Sequence, residues 1–158
     1  VAPPADPVLR LLARFAEEGV EYVLVGGQAV RINGFVRATE DVDVLVRATR
    51  ENGERLRRAL NEFEAASELD PAWFEPPADG VPENVRVADT LLVDLLLSAN
   101  GETYETVQPY IREIVLGGVL VRVLNIDGLL RTKTEWREKD VLDRRMLERL
   151  RQGLSDED

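Results

Sequence analysis

Histidine and cysteine are both absent from these 158 residues, and each absence removes whole classes of chemistry. Without thiols there are no disulfides, no thiolate metal sites and no cysteine nucleophile. Without imidazole there is no histidine base, no Ser-His-Asp relay and no histidine zinc site. Catalysis, where present, rests on carboxylates, Lys, Arg, Ser, Thr or Tyr, with hard cations such as Mg²⁺ held by oxygen. Lysine is scarce too: Lys133 and Lys139 are the only two among 20 basic residues, and the arginine bias reads as a composition effect. No run of 18 apolar residues occurs, and Val1 to Asp6 lacks the basic and apolar regions of a signal peptide. The expectation is a soluble, cytoplasmic protein with no membrane partner. A formal charge of −10 argues against broad wrapping of nucleic acid, while leaving room for a local basic patch.

What is present suits one domain spanning 1–158, with a core over about 8–125 and a C-terminal helical segment over about 126–153. Val8, Leu9, Leu11, Leu12 and Phe15 recur at helical spacing, with a stop near Gly19. Tyr22 to Val25 is apolar on both faces and bounded by Gly26-Gly27, the pattern of a buried central strand. A short helix over Gln28 to Asn33 follows, then a strand from Asp41 to Val46 and a helix from Arg50 to Glu64. Asp70 to Asn84, with Pro71, Pro76, Pro77, Gly80 and Pro82, predicts a loop too broken for regular structure. Strands are expected at Val85 to Val87 and Leu91 to Leu97, and Gly117-Gly118 joins Ile111 to Leu116 and Val119 to Leu124 as a hairpin. From Asp127 a helical pattern runs through Leu129, Leu130 and Trp136, and on through Leu142, Met146, Leu150 and Leu154 to the acidic tail.

Alternation along the second strand puts Asp41 and Asp43 on one face, with α-carbons about 7 Å apart. Two carboxylates so placed among valines and leucines suit a metal ion. They equally suit a sheet-edge pair facing water or paired to Arg37 and Arg47. Asp94, within Leu-Leu-Val-Asp-Leu-Leu-Leu, needs a metal or an arginine where that strand is buried, and nothing where it is an exposed edge. Asp89 is a weaker candidate for the same role. Gly26-Gly27, after a strand and before a helix, can bring backbone N–H groups to a phosphate, or be an ordinary tight turn. Lys133 and Arg137 share a helical face that can meet phosphates, although the alternating charges around them suit a salt-bridged surface.

Taken together, Tyr22-Val-Leu-Val-Gly-Gly-Gln-Ala-Val-Arg31, Gly34 and Arg37-Ala-Thr-Glu-Asp-Val-Asp-Val-Leu45, with Asp94 on a later strand, resemble the DNA-polymerase-β-like nucleotidyltransferase superfamily. The Gly-Gly form, Arg37-x-Thr39, and the tail from Lys133 through Arg137 and Lys139-Asp140 to Asp143 look most like small bacterial toxin-like nucleotidyltransferases of abortive-infection toxin–antitoxin systems. The resemblance implies an α/β (α+β) nucleotidyltransferase fold: a mixed central sheet flanked by helices, with C-terminal helices. It implies that Asp41, Asp43 and Asp94 are catalytic and bind two Mg²⁺, or Mn²⁺, and that Gly26, Gly27, Arg37, Thr39, Lys133 and Arg137 contact a nucleoside triphosphate. The implied reaction moves a nucleoside monophosphate to a hydroxyl on an RNA or tRNA end, a protein or a small molecule. An antitoxin or other helical protein partner is implied too, and a catalytically idle module acting through such a partner is the alternative. Gln28 departs from the superfamily's turn, whose second residue is serine. With no large acceptor domain in the sequence, an acceptor site is expected from Asp70 to Asn84, a second subunit or a partner.

Overall fold

The computed structural model describes residues 6–33, 41–63, 69–75, 84–88 and 91–156. Asp6 starts the first helix, α1 (Pro7–Glu18): its carboxylate accepts from the Val8 N–H at 2.8 Å, and Pro7 needs no donor partner in the first turn. Gly19, at φ +69°, ends the helix in the left-handed conformation. The chain then enters β1 (Tyr22–Val25), α2 (Gly26–Ile32), β2 (Asp41–Val46) and α3 (Arg50–Ala59). After β3 (Val85–Ala88) and β4 (Leu92–Leu96) come β5 (Ile111–Leu116), β6 (Val119–Leu124), α4 (Ile126–Thr132) and α5 (Glu138–Asp156).

The six strands form one mixed sheet in the order β3-β4-β2-β1-β6-β5. β2 runs parallel to β4 and antiparallel to β1, β1 runs parallel to β6, and the two outer pairs are antiparallel. All four side chains of β1 are buried, as expected for a strand covered on both faces. Leu11, Leu12 and Phe15 of α1 join the core, where the rings of Phe15 and Tyr22 meet edge to face, 5.1 Å apart. The β5–β6 hairpin turns on Gly117 and Gly118, both at positive φ, which a two-residue turn matched to strand twist requires. Among the described residues no helix is long and apolar enough to cross a membrane.

Three expectations need correction. α3 stops at Ala59, capped at Leu60, well short of Glu64, which lies outside the described residues. The proline-rich segment is not wholly irregular: Pro71–Phe74 forms a 3-10 turn capped by Asp70, whose carboxylate accepts from Ala72 N–H at 2.9 Å. Pro71 supplies the φ that the first turn needs, and Phe74 is fully buried against α3; residues 76–83 of that segment lie outside the described residues. The C-terminal helical pattern is two helices, because a turn over Lys133 to Arg137 interrupts it and leaves Trp136 80% exposed.

Packing of α3 on that turn gives a prediction whose sign is diagnostic. A Cβ at Gly53 would lie 2.6 Å from Phe74 Cδ2 and 2.9 Å from the Pro71 carbonyl oxygen, whereas one at Gly153 in α5 would meet nothing within 4 Å. Gly→Ala ordinarily stabilises a helix by about 1 kcal/mol, but overpacking costs about 1–3 kcal/mol. Gly53→Ala should therefore lower the melting temperature by several degrees and Gly153→Ala should raise it slightly. Calorimetry of both variants checks this, and a stabilised Gly53→Ala would refute the docking of Pro71–Phe74 on α3.

Candidate active site

Parallel pairing of β2 with β4 sets Asp43 directly across from Asp94, and Asp41 across from Leu92. Residues directly opposite in a sheet share a face, with strands about 4.8 Å apart. Asp41 lies two residues before Asp43, so all three carboxylates emerge on one side, while Val42, Val44, Val93 and Leu95 are fully buried on the other. β4 is an interior strand, covered by β3, so Asp94 does not sit on a bare sheet edge. Arg37 and Thr39, expected beside this pair, and Asp89 lie outside the described residues. Arg47 is engaged by Glu21 at 3.0 Å and Glu105 at 3.4 Å, with its guanidinium 5.1 Å from the centre of the Tyr104 ring.

The cost of gathering these acids falls on Asp43. Its carboxyl is pushed up from 3.8 to about 6, first by burial, then by a hydrogen bond with Asp94 and by the charges of Asp94 and Asp41; the positive charge of Lys133 pulls it back down. Gly26 leaves β1 beside Asp43, since Val25 is the residue paired with it. At φ +67° Gly26 adopts a conformation that side-chain-bearing residues avoid, and a Cβ there would stand 3.0 Å from Asp43 Cγ and closer still to its Oδ2. The turn therefore needs glycine twice over, for conformation and for room next to a carboxylate. Gly27 follows, buried, in the first turn of α2.

Lys133 caps the end of α4, and its Nζ donates to Asp143 Oδ2 at 3.1 Å in a buried pair. The turn that follows is tied on both sides. Thr134 donates to Asp140 Oδ2 from its N–H at 3.0 Å and its hydroxyl at 2.8 Å, and Arg137 N–H donates to Thr134 Oγ1 at 3.1 Å. Burial alone would raise the Asp140 carboxyl, but the two Thr134 bonds, with Lys133 and Arg137 nearby, hold it below its ordinary value. Asn100 Nδ2, at 3.1 Å, and Arg144 Nη1, at 3.2 Å, both donate to the Lys133 carbonyl. Arg137 itself is exposed. The turn thus fixes a buried ammonium whose field reaches Asp43.

Sequence reasoning missed Arg86. It stands opposite Asp94 on the other side of β4, where Nε donates to Oδ1 at 2.6 Å and Nη2 to Oδ2 at 3.1 Å. Only the β3–β4 register reveals this pairing, and the sequence signal was an arginine between two valines in a short strand. Oxygen donors facing one another, a carboxyl driven up by burial and by its acidic neighbours, and a glycine-cleared approach suit a divalent cation. Among the described residues, however, no three acidic side chains are already converged into a cage for one.

The raised Asp43 carboxyl predicts an unusual stability profile in metal-free protein. Its folded-state value lies above its unfolded one, so the group favours folding at low pH, and that favour is lost as pH rises through about 4 to 6. Asp43→Asn removes a buried negative charge and should raise the melting temperature at pH 8 in EDTA, by roughly 2–4 °C for each kcal/mol gained. At pH 4 the difference should nearly vanish. Scanning calorimetry at the two pH values checks it, and a variant no more stable at pH 8 would contradict the burial and crowding of the Asp43 carboxylate.

No family model matches the chain, and no curated protein matches it at a significant level. Among solved structures it is similar to a crystal structure from Thermotoga maritima, of a protein provisionally named a nucleotidyltransferase. The TM-score is 0.56 and the identity 17%, over 94% of this chain and 91% of that one. At that identity the likeness concerns the backbone, and the backbone is the mixed sheet with helices already described. The chain has the nucleotidyltransferase fold.

Proposed function

We propose that this protein is a metal-dependent nucleotidyltransferase that moves a nucleoside monophosphate from a nucleoside triphosphate to a hydroxyl acceptor. The observation that carries the reading is the register placing Asp43 opposite Asp94, with Asp41 on the same face and Gly26 cleared of side chain beside them. Asp41, Asp43 and Asp94 would hold divalent ions, Mg²⁺ or Mn²⁺, which when bound polarise the phosphoryl oxygens and acidify the acceptor hydroxyl. Gly26 and Gly27 let the triphosphate approach the backbone at the start of α2. Asp94, on the strand nearer β3, faces the acceptor and takes the hydroxyl proton as the new phosphodiester or phosphoester bond forms, and pyrophosphate leaves. Lys133 supplies a fixed positive charge from its seat on Asp143, and Arg137, exposed on the same turn, reaches for the departing phosphates. Arg37 and Thr39 belong to the same role by their place in the motif.

The acceptor class follows from charge. A chain at −10 does not hold a long polyanion by field alone, so an RNA end, such as that of a tRNA, a protein hydroxyl or a small molecule fits better than a duplex. A toxin role, with an antitoxin as partner, fits the Lys133–Asp143 segment. The competing reading, an idle module that works through a protein partner, is favoured by one observation: Trp136, Leu142 and Met146 are exposed at 80%, 59% and 36% on the C-terminal segment.

Incubation with Mg²⁺ and α-phosphate-labelled nucleoside triphosphates should transfer label to the protein itself or to added RNA. Asp43→Ala should cut the rate by roughly 100-fold or more, the scale of losing one electrostatic stabiliser of a transition state. Gly26→Ala should cut it as well, because its Cβ crowds the Asp43 carboxylate. A folded sample that shows no thermal shift with any triphosphate and no labelling, yet retains a tight protein partner, would establish the idle module instead.

A further inference from the structure

Arg86 is absent from the motif behind the proposed activity, yet it makes a two-pronged contact to one of its three carboxylates. Its guanidinium spans both oxygens of Asp94, at 2.6 and 3.1 Å, in the fork geometry that matches a carboxylate. The two residues face each other across the β3–β4 pair, so the sheet itself sets their separation. The Arg86 side chain is 60% exposed, the Asp94 side chain 15%. The carboxylate is thus fixed in the fold while the guanidinium lies at its open, solvent side, on an edge strand.

The other cation that the described residues bring near the acids is different in kind. Lys133 is buried, paired with a buried Asp143, and its backbone is held by Asn100 and Arg144. It cannot leave without stranding a charge in the interior. Arg86 can leave, because its head turns directly into water and its stem is long and flexible.

We propose that Arg86 is a resident counter-charge that competes with the divalent ion for Asp94: it holds the third carboxylate aimed while no metal is bound, and it is displaced toward solvent when metal ligates there. This rests on the metal-site reading of Asp41, Asp43 and Asp94. An ion bound by Asp94 and Asp43 must bring its charge close to the guanidinium that already occupies the Asp94 oxygens, and two cations in that space repel. Arg86 therefore lowers metal affinity in the nucleotide-free protein.

The test measures metal binding alone, without nucleotide or turnover. Mn²⁺ is titrated at pH 8 and constant ionic strength into wild type, Arg86→Gln, Arg86→Lys and Asp43→Asn. Binding is followed by calorimetry and by loss of the free-ion paramagnetic signal, with folding of each variant checked by circular dichroism. Arg86→Gln should bind Mn²⁺ roughly 10-fold tighter than wild type, the scale expected for removing a like charge within a few ångströms. Arg86→Lys, which keeps the charge but not the fork, should fall between them. Unchanged or weaker binding in Arg86→Gln overturns the competition, weaker binding meaning that Arg86 orients Asp94 for the ion. Asp43→Asn separates the two ideas. When wild type binds Mn²⁺ and Asp43→Asn does not, a null result at Arg86 sinks only this inference; when Asp43→Asn binds as wild type does, or none of the proteins binds, the metal-site reading fails with it.

Discussion

The parallel ladder between β2 and β4 is the contact on which the site depends, because it sets like charges against each other. Asp43 and Asp94 are direct partners in that ladder, and the opposite face of β2 and β4 is filled by Val42, Val44, Val93 and Leu95. Ordinary cross-strand preferences oppose such a pair. The apolar face pins the register nonetheless, since a slip by one residue would drive the aspartates into the core and the valines out of it. Hydrophobic burial on one face thus holds an electrostatic conflict in place on the other. A sheet stabilised in this way can present a carboxylate cluster that would disperse on a mobile loop.

Much of the remaining architecture moderates that conflict. The α4–α5 turn places Lys133 where its charge lowers the Asp43 carboxyl, and the turn's own bonds explain why the lysine stays there. Thr134 ties to Asp140 in the first turn of α5, Asp143 meets Lys133 one turn further on, and Arg144 donates to the Leu130 carbonyl at 2.7 Å and to that of Lys133. The C-terminal helix is therefore the support of a single ammonium, which links packing far from the sheet to ionisation at its centre. Trp136 and Arg137 of the same segment are exposed.

How much was legible beforehand follows from the range of each interaction. Alternation in Asp41–Val46 gave the shared face of Asp41 and Asp43 without any structure, because strand periodicity is local. The flanking leucines marked Asp94 as an acid that needs a partner, but which partner depended on two registers that no local pattern encodes, with Asp43 on one side and Arg86 on the other. The helical period through Leu129, Leu130 and Leu142 hid a break, because the bonds from Thr134 to Asp140 that hold the turn join residues six apart, a spacing that carries no helical signature. In Asp70 to Asn84 the density of proline predicted a loop without regular structure, yet Pro71 after a capping Asp70 starts a tight turn and Phe74 anchors it. Lys133 and Arg137 were expected to share a helical face, their nucleotide contacts being implied by the resemblance alone; the structure puts them on the turn between two helices, one in a buried ion pair and the other exposed.

The charges around the acids divide by mobility as well as by sign. Lys133 approaches from the α4 side and is locked, while Arg86 approaches from the β3 edge and is solvent-facing. Lys133 is already matched by Asp143, and Arg86 by Asp94, so neither cation neutralises Asp43, whose carboxyl is driven upward by burial and by its acidic neighbours. Had both arginine and lysine been buried, the cluster would be a closed salt-bridge network, stable and inert. Had neither been present, the repulsion would oppose the very register that builds the site. One fixed and one releasable cation keep the cluster assembled and still receptive to a further positive charge, and that asymmetry is the physical reason to read it as a binding centre rather than as a structural ion-pair network.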